Sequence, residues 1–328
     1  MNAKSFDHSQ ELSLVLRKIT FEGKSINSYE FVDPDGKDLP PFEAGSHIDI
    51  KVSSNVTRQY SLCNDPSETH RYVIAVLRDE NGRGGSKAIH DQLKVQDIVT
   101  VSLPRNNFEL SDNTKRAILI GGGIGITPLK SMAHKLRSLN IPYELHYCAK
   151  DKTCVAFYDE ICALSDNENV HFHFDGGDPN NGLNLQKLFE SQRDGDHLYY
   201  CGPSGFMEAC KTSAAHWTKG TVHFEHFKAP VAPKADSQPE RTDGYKIKLN
   251  STGEVIEVAA GVSVLEALQN SGVEVERSCE SGLCGACKIR FLEGEVDHQD
   301  YILDDEERSD HFTSCVSRVT SDLIVLDI

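Results

Sequence analysis

The chain has 328 residues, 38% hydrophobic and 26% charged, with a formal net charge of −16. That length allows two or three domains of roughly 100–200 residues, and the acidic balance argues against a nucleic-acid binder, which needs a basic face for phosphates. Nothing approaches the ~18 consecutive apolar residues of a membrane span, and residues 1–8 lack the apolar core of a signal peptide, so a soluble cytoplasmic protein is expected.

Residues 1–110 read as β-rich. The stretches 12–20, 47–52, 71–77 and 98–103 carry β-formers or period-two alternation between Gly, Asn and Asp clusters, which favours a small antiparallel barrel or sandwich. Arg58-Gln59-Tyr60-Ser61-Leu62 follows a strand, and Gly82-Arg83-Gly84-Gly85-Ser86 comes 24 residues after Arg58. Arg58 suits a phosphate, and backbone N–H groups at Gly84, Gly85 and Ser86 suit one at a helix start. Taken alone, the same residues also read as a barrel arginine and a glycine turn.

After Ser111 the pattern changes. The apolar run 117–120 ends in Gly121-Gly122-Gly123-Ile124-Gly125, and Thr127 and Pro128 offer a helix N-cap and a first-turn proline. Leu129, Met132, Ala133, Leu136 and Leu139 follow at helical spacing, and further strands are expected at 143–148, 170–174 and 197–201. Strands alternating with helices predict a parallel nucleotide-binding sheet over residues 111–228. The glycine run departs from G-x-G-x-x-G because Ile126 takes the third glycine's place, and no acidic residue ends the next strand. Cys201-Gly202-Pro203 would place a second glycine turn on the same sheet edge. Residues 229–241 hold three prolines and no hydrophobic periodicity, and read as a linker to a small domain at 242–328.

That last domain carries the strongest motif: Cys279-x4-Cys284-x2-Cys287, then Cys315 after 27 intervening residues. Four thiolates in the C-x4-C-x2-C…C spacing are the plant-type 2Fe–2S arrangement. The small residues Ser281, Gly282, Gly285 and Ala286 let backbone amides approach the sulfurs. A structural zinc site would instead favour two closely spaced cysteine pairs, whereas Cys315 stands alone. From residue 241 to 328 there are 18 acidic and 8 basic residues, a net −10; this is either a solvated surface or a docking face for a basic partner.

In this order, Arg58-x-Tyr60-Ser61, the Gly84-Gly85-Ser86 turn, residues 121–128 and Cys201-Gly202-Pro203 resemble the ferredoxin–NAD(P)+ reductase-like flavoproteins. With the C-terminal cysteine domain, nearly the whole chain resembles the phthalate dioxygenase reductase family. The resemblance implies three domains: an antiparallel β-barrel for flavin at 1–110, an α/β NAD domain at 111–228 and an α+β ferredoxin-like (β-grasp) domain at 242–328. It implies FMN rather than FAD, with Arg58, Gln59, Tyr60, Ser61, Gly84, Gly85 and Ser86 holding it, Thr127 near its ring and Phe227 covering the ring. Gly122, Gly123, Cys201, Gly202 and Met207 would border the nicotinamide nucleotide. Ser61, Thr127 and Cys201 fall at the reacting centre, Cys201 packing there rather than acting as a nucleophile.

Function follows from the same resemblance. NADH would reduce FMN, and the cluster would pass electrons singly to a separate Rieske-type oxygenase. That transfer is downhill by about 250 mV or more, about 6 kcal/mol per electron. The reductase is expected to be monomeric, without nucleic-acid or membrane partners. Lys150 and Lys152 keep a 2′-phosphate, and so NADPH, in play. The alternatives are a different acceptor (a diffusible ferredoxin, a quinone or a di-iron hydroxylase) or a non-enzymatic, metal-stapled nucleotide-binding protein.

Overall fold

The computed structural model describes residues 11–53, 56–82, 84–165, 168–228, 243–277, 279–304 and 306–328. The linker expected at 229–241, Arg83 of the glycine turn and Asp305 of the acidic run lie outside the described residues. By its internal contacts the chain divides into two compact units, one ending at Phe227 and one beginning at Lys228.

The first unit holds two sheets. One is antiparallel, made of β1 (Glu11–Gly23), β2 (Ile26–Val32), β3 (Ser46–Ser53), β4 (Val56–Ser61), β5 (Tyr72–Leu77), β6 (Ile98–Ser102) and the short β7 (Arg105–Asn106), with helix α1 (Gly85–Gln92) between β5 and β6. Its strand order is β4-β3-β6-β1-β2-β5, with β7 on β3. Leu62, just past β4, bridges to Ile74 on β5, so the two ends of the order meet. Alternation sends Leu14, Leu16, Ile48, Ile50, Ile74 and Val76 into one core. Val73 and Ala75, the alternate residues of β5, join the core of the second sheet instead. A wholly apolar strand is thus buried on both faces.

Strand β2 escapes a sequence reading because Asn27, Ser28 and Glu30 look like loop residues. They are tolerated because they are paired. Glu30 accepts from Arg71 at 2.7 Å and from Arg17, and Ser28 donates to Glu22 at 2.6 Å. Residues 58–61, expected to follow a strand, are themselves strand β4, paired antiparallel with β3.

The second sheet is wholly parallel: β8 (Arg116–Gly122), β9 (Tyr143–Ala149), β10 (Val170–Phe174), β11 (Asp196–Cys201) and β12 (Val222–Glu225), in the order β10-β9-β8-β11-β12. Helices α2 (Ile126–Ser138), α3 (Tyr158–Cys162), α4 (Leu185–Phe189) and α5 (Ser204–Ser213) connect it. Ala117 and Leu119 of β8 pack with Leu129, Met132 and Ala133 of α2. Ile118 and Ile120 turn the other way, onto Phe189, Met207 and Cys210. Both faces of the sheet are therefore covered. The order reverses between β8 and β11, and there the connecting loops diverge to leave a ligand crevice.

One expected cap is corrected. A 3-10 turn over Gly123–Gly125 leads into α2, Gly125 holds the capping position, and Thr127 lies inside the first turn. The Thr127 hydroxyl donates back to the Ile124 carbonyl at 3.0 Å. Pro128 does sit in the first turn, as its missing N–H allows.

The second unit is a mixed sheet of β13 (Tyr245–Leu249), β14 (Val255–Val258), β15 (Lys288–Glu293), β17 (His311–Thr313) and β19 (Leu323–Leu326), in the order β14-β13-β19-β15-β17. The pair β16 (Val296–Asp297) and β18 (Arg318–Val319) stands beside it. Helix α6 (Val264–Asn270) buries Val264, Ala267 and Leu268 against Ile247, Ile289, Phe312 and Ile324. Ser263 caps α6 by accepting from the Glu266 amide at 3.2 Å. Among the described residues no helix is long and apolar enough to cross a membrane.

Buried Tyr199 on β11 ties the connection between the two sheets of the first unit: its hydroxyl accepts from the Ser111 amide at 2.9 Å and meets Thr114 Oγ1 at 2.9 Å. Tyr199→Phe leaves both partners without it and is expected to cost about 1–3 kcal/mol, measured by urea unfolding of the full chain.

Candidate functional site

The four cysteines of the second unit come together because of strand pairing. Antiparallel β15 and β17 set Lys288 opposite Thr313, which brings Cys287 beside Cys315. Ser314 reinforces this, its amide and hydroxyl both donating to the Cys287 carbonyl at 3.0 Å. The thiols form two hydrogen-bonded pairs, Cys279 with Cys284 and Cys287 with Cys315. In each pair one sulfur is held more acidic than an ordinary thiol, Cys279 at about 6, and its partner is pushed up.

Amides of the same loop point at the sulfurs. Leu283 N lies 3.4 Å from Cys279 Sγ, Cys279 N lies 3.5 Å from Cys284 Sγ, and the Ala286 and Gly282 amides reach Cys284 and Cys315. Such donors favour thiolate. Among the described residues no three ligand-type side chains gather round a single-ion position. Two thiol pairs with inward amides fit a two-iron centre, which Cys279, Cys284, Cys287 and Cys315 would hold.

Gly282 makes this closure possible. Its φ is +70°, and a Cβ there would stand 2.7 Å from Val316 Cγ2 and 3.1 Å from Asp300 Cα. Gly282→Ala is expected to lose roughly 1–2 kcal/mol from the left-handed backbone alone and to lower iron and acid-labile sulfide per chain, read by metal analysis and the melting of the domain.

In the first unit, Arg58, Gln59, Tyr60 and Ser61 run consecutively along β4. The Arg58 side chain lies over the start of α1: a Cβ on Gly85 would fall 2.5 Å from Arg58 Nε. Gly84, at φ +87°, caps α1, whose first turn holds no acidic residue. Ser86 Oγ accepts from the Asp79 amide at 3.0 Å, leaving its own hydrogen to be donated. A guanidinium against the N-terminus of an eight-residue helix suits a phosphate. Tyr60 is half-buried nearby on the same strand, and burial raises its phenol.

The nucleotide edge is built by close approach of two turns. β8 and β11 pair with Gly121 opposite Cys201. A Cβ on Gly125 would sit 2.2 Å from the Cys201 carbonyl oxygen, and one on Gly202 3.1 Å from Gly122 Cα. Gly123, at φ +55°, has open space above it. Met207 is buried behind, in α5. The two glycine turns therefore lie together on one edge, as expected from their sequence positions. Thr127 and Cys201 are buried there as well, and burial pushes the Cys201 thiol far above its ordinary range. Phe227 is 38% exposed, two residues beyond β12.

Glu225, at the end of β12, was missed by sequence reasoning. Its half-buried carboxyl accepts from the Ser61 hydroxyl at 3.3 Å, linking the first sheet to the second. Desolvation pushes it up to about 8 from 4.5. A raised carboxyl stays protonated in the folded chain while the unfolded chain ionises. Its contribution is thus full below pH 4.5 and falls by about 1.4 kcal/mol per pH unit as pH rises to about 8. Glu225→Gln should flatten that slope in urea melts run from pH 5 to 8.

The comparisons with known proteins agree with this geometry. A "2Fe-2S iron-sulfur cluster binding domain" model matches residues 247–320, and an "Oxidoreductase NAD-binding domain" model matches residues 119–212. The protein is therefore an NAD-dependent iron–sulfur oxidoreductase. It is 48% identical over 97% of its length to the tert-butanol monooxygenase / tert-amyl alcohol desaturase reductase subunit of Aquincola tertiaricarbonis, covering 96% of that protein. It is 42% identical to phthalate dioxygenase reductase of Burkholderia cepacia, over 93% of this chain and 94% of the other. A solved phthalate dioxygenase reductase, described as modular for electron transfer from pyridine nucleotides to 2Fe–2S, superposes with a TM-score of 0.73 at 41% identity, covering 97% of this chain and 98% of that one. The chain belongs to the phthalate dioxygenase reductase family, and it carries that family's pairing of an NAD-binding oxidoreductase domain with a 2Fe–2S cluster domain.

Proposed function

We propose that this chain is the reductase component of a Rieske-type oxygenase system, delivering electrons from NADH to a separate oxygenase. The observation that carries the reading is one chain holding an anion cradle, a nucleotide edge and a cluster loop. Three domains serve it: a closed β-barrel within residues 1–110, a nucleotide domain within 111–228 and a β-grasp ferredoxin domain within 242–328. The meeting of β4 and β5 at Leu62 and Ile74 supports barrel closure. We take the protein as a cytoplasmic monomer with no nucleic-acid or membrane partner.

When bound, FMN converts a two-electron donor into one-electron steps and the 2Fe–2S centre accepts electrons singly. The chain's own residues bind and orient. Arg58, with the Gly84, Gly85 and Ser86 turn, takes the flavin phosphate; Gln59 and Tyr60 flank the flavin from β4; Phe227 covers its ring. Thr127 and Ser61 face the reacting edge, and the Ser61–Glu225 pair holds a proton at the glutamate carboxyl within reach of the Ser61 hydroxyl. Gly122, Gly123 and Gly202 admit the nucleotide backbone because they have no side chain, and Met207 and buried Cys201 fill the space behind. Cys279, Cys284, Cys287 and Cys315 hold the cluster.

Donor choice is read at the outer strand ends. Asp175 follows β10, its carboxylate accepting from the Gly177 amide at 2.7 Å, and an acid there favours a free ribose hydroxyl over a 2′-phosphate. Of the two lysines nearby, Lys152 is turned over the Tyr158 ring at 4.3 Å. Asp175→Ser is expected to raise the NADPH-to-NADH ratio of kcat/KM about tenfold or more, read by steady-state assays with both donors.

The acidic second unit, including exposed Asp304 and Glu306, is the face offered to a basic oxygenase surface. Mixing NADH, this protein and a candidate oxygenase should reduce the oxygenase, more slowly as salt rises from 50 to 300 mM. No reduction of any Rieske oxygenase, with rapid reduction of a quinone or free ferredoxin instead, would reassign the acceptor.

A further inference from the structure

Where the two sheets of the first unit meet, a buried cation stands outside the machinery described above. Lys130, on α2 one turn beyond Thr127, is 2% exposed. Its ammonium donates to the Cys63 carbonyl at 3.0 Å, pairs with Glu160 at 2.8 Å and lies 4.8 Å from the centre of the Phe157 ring. Cys63 lies two residues beyond Ser61, so the lysine ties the segment leaving β4 to the helix leaving the glycine turn.

Further along α2 the pattern of cross-segment ion pairs repeats. One turn on, His134 Nδ1 is 3.5 Å from Asp65 Oδ2, and Lys135 lies 3.3 Å from Glu43. A polar cavity of about 130 Å³ beside Lys130, lined also by Asp65, Glu68, Arg71 and His134, softens the burial of the charge. An apolar side chain of similar length would be buried more favourably than an ammonium. It would not bond the Cys63 carbonyl.

We propose that Lys130 is a positioning residue: by clamping the Cys63 carbonyl it fixes how the nicotinamide on the α2 side approaches the flavin held by β4. This rests on the proposed placement of flavin and nucleotide at Ser61 and Thr127. The lysine touches neither reactant. It acts through the backbone of residues 61–63 and the first turns of α2, where small displacements of bound reactants cost rate steeply.

The test uses Lys130→Met and Glu160→Gln in the full-length, flavin-loaded protein. Lys130→Met should keep its FMN while flavin bleaching at saturating NADH slows about tenfold and KM for NADH moves less than about twofold. The long-wavelength charge-transfer absorbance of the reduced flavin with NAD+ should weaken, and in flavin-free protein the amides of residues 62–65 should exchange at least about tenfold faster. Glu160→Gln keeps the carbonyl clamp and should stay within about twofold of the parent. The inference is overturned if Lys130→Met bleaches at the parent rate with the parent absorbance, or if Glu160→Gln reproduces its loss. Should Lys130→Met fail to fold, Lys130→Leu, which also lacks a donor, is read the same way. Ser61→Ala bleaching at the parent rate would overturn the flavin placement itself, and this inference with it.

Discussion

A single hydrogen bond, from the Ser61 hydroxyl to the Glu225 carboxyl, joins residues 164 apart in the chain and two separately built sheets. It sits beside the buried tie from Lys130 to the Cys63 carbonyl, so two polar contacts hold the sheets together there. Ser61 ends the strand that carries Arg58 and Tyr60, and Glu225 ends the last strand of the parallel sheet. Burial keeps the carboxyl protonated near neutral pH, so the junction needs no counter-ion to survive desolvation. Close by, Gly125 admits the Cys201 carbonyl at a distance no side chain would allow. The crevice at the order reversal is thus narrow on the protein side and open at Gly123.

The cluster loop follows a different logic. The first unit excludes water with apolar packing, whereas the loop surrounds its sulfurs with amides and positive-φ glycines. Thiolates and a cluster carry negative charge, and inward N–H groups stabilise it without adding a titratable cation. A metal centre also stabilises a domain of this size beyond what its single small core supplies.

Much of the architecture was legible because its patterns are local. Period-two alternation revealed β3, runs of β-formers between Gly, Asn and Asp clusters revealed β1, β5 and β6, the apolar run before Gly121 revealed β8, and cysteine spacing identified the cluster. What stayed hidden depends on tertiary partners. β2 looked polar because its Glu30 is matched by arginines from other segments. Thr127 looked like a cap because the chain's close approach at Gly125 leaves no trace in local propensity. Glu225 and Lys130 carry no local signal of their own, one at a strand end and one on a helix. Their importance comes from Ser61 and Cys63, far away in sequence. The order in which the four thiols pair was likewise absent from their spacing, and came from β15 lying against β17.

The proposed function requires electrons to pass from nicotinamide through flavin to the cluster. Anaerobic titration of the full-length protein with NADH, followed by absorbance and low-temperature electron paramagnetic resonance, follows that path. Flavin absorbance should fall while a paramagnetic signal of the reduced 2Fe–2S centre grows, and Cys315→Ser should keep the bleaching but lose the signal. Flavin that bleaches fully in the parent protein while the cluster stays oxidised would contradict it.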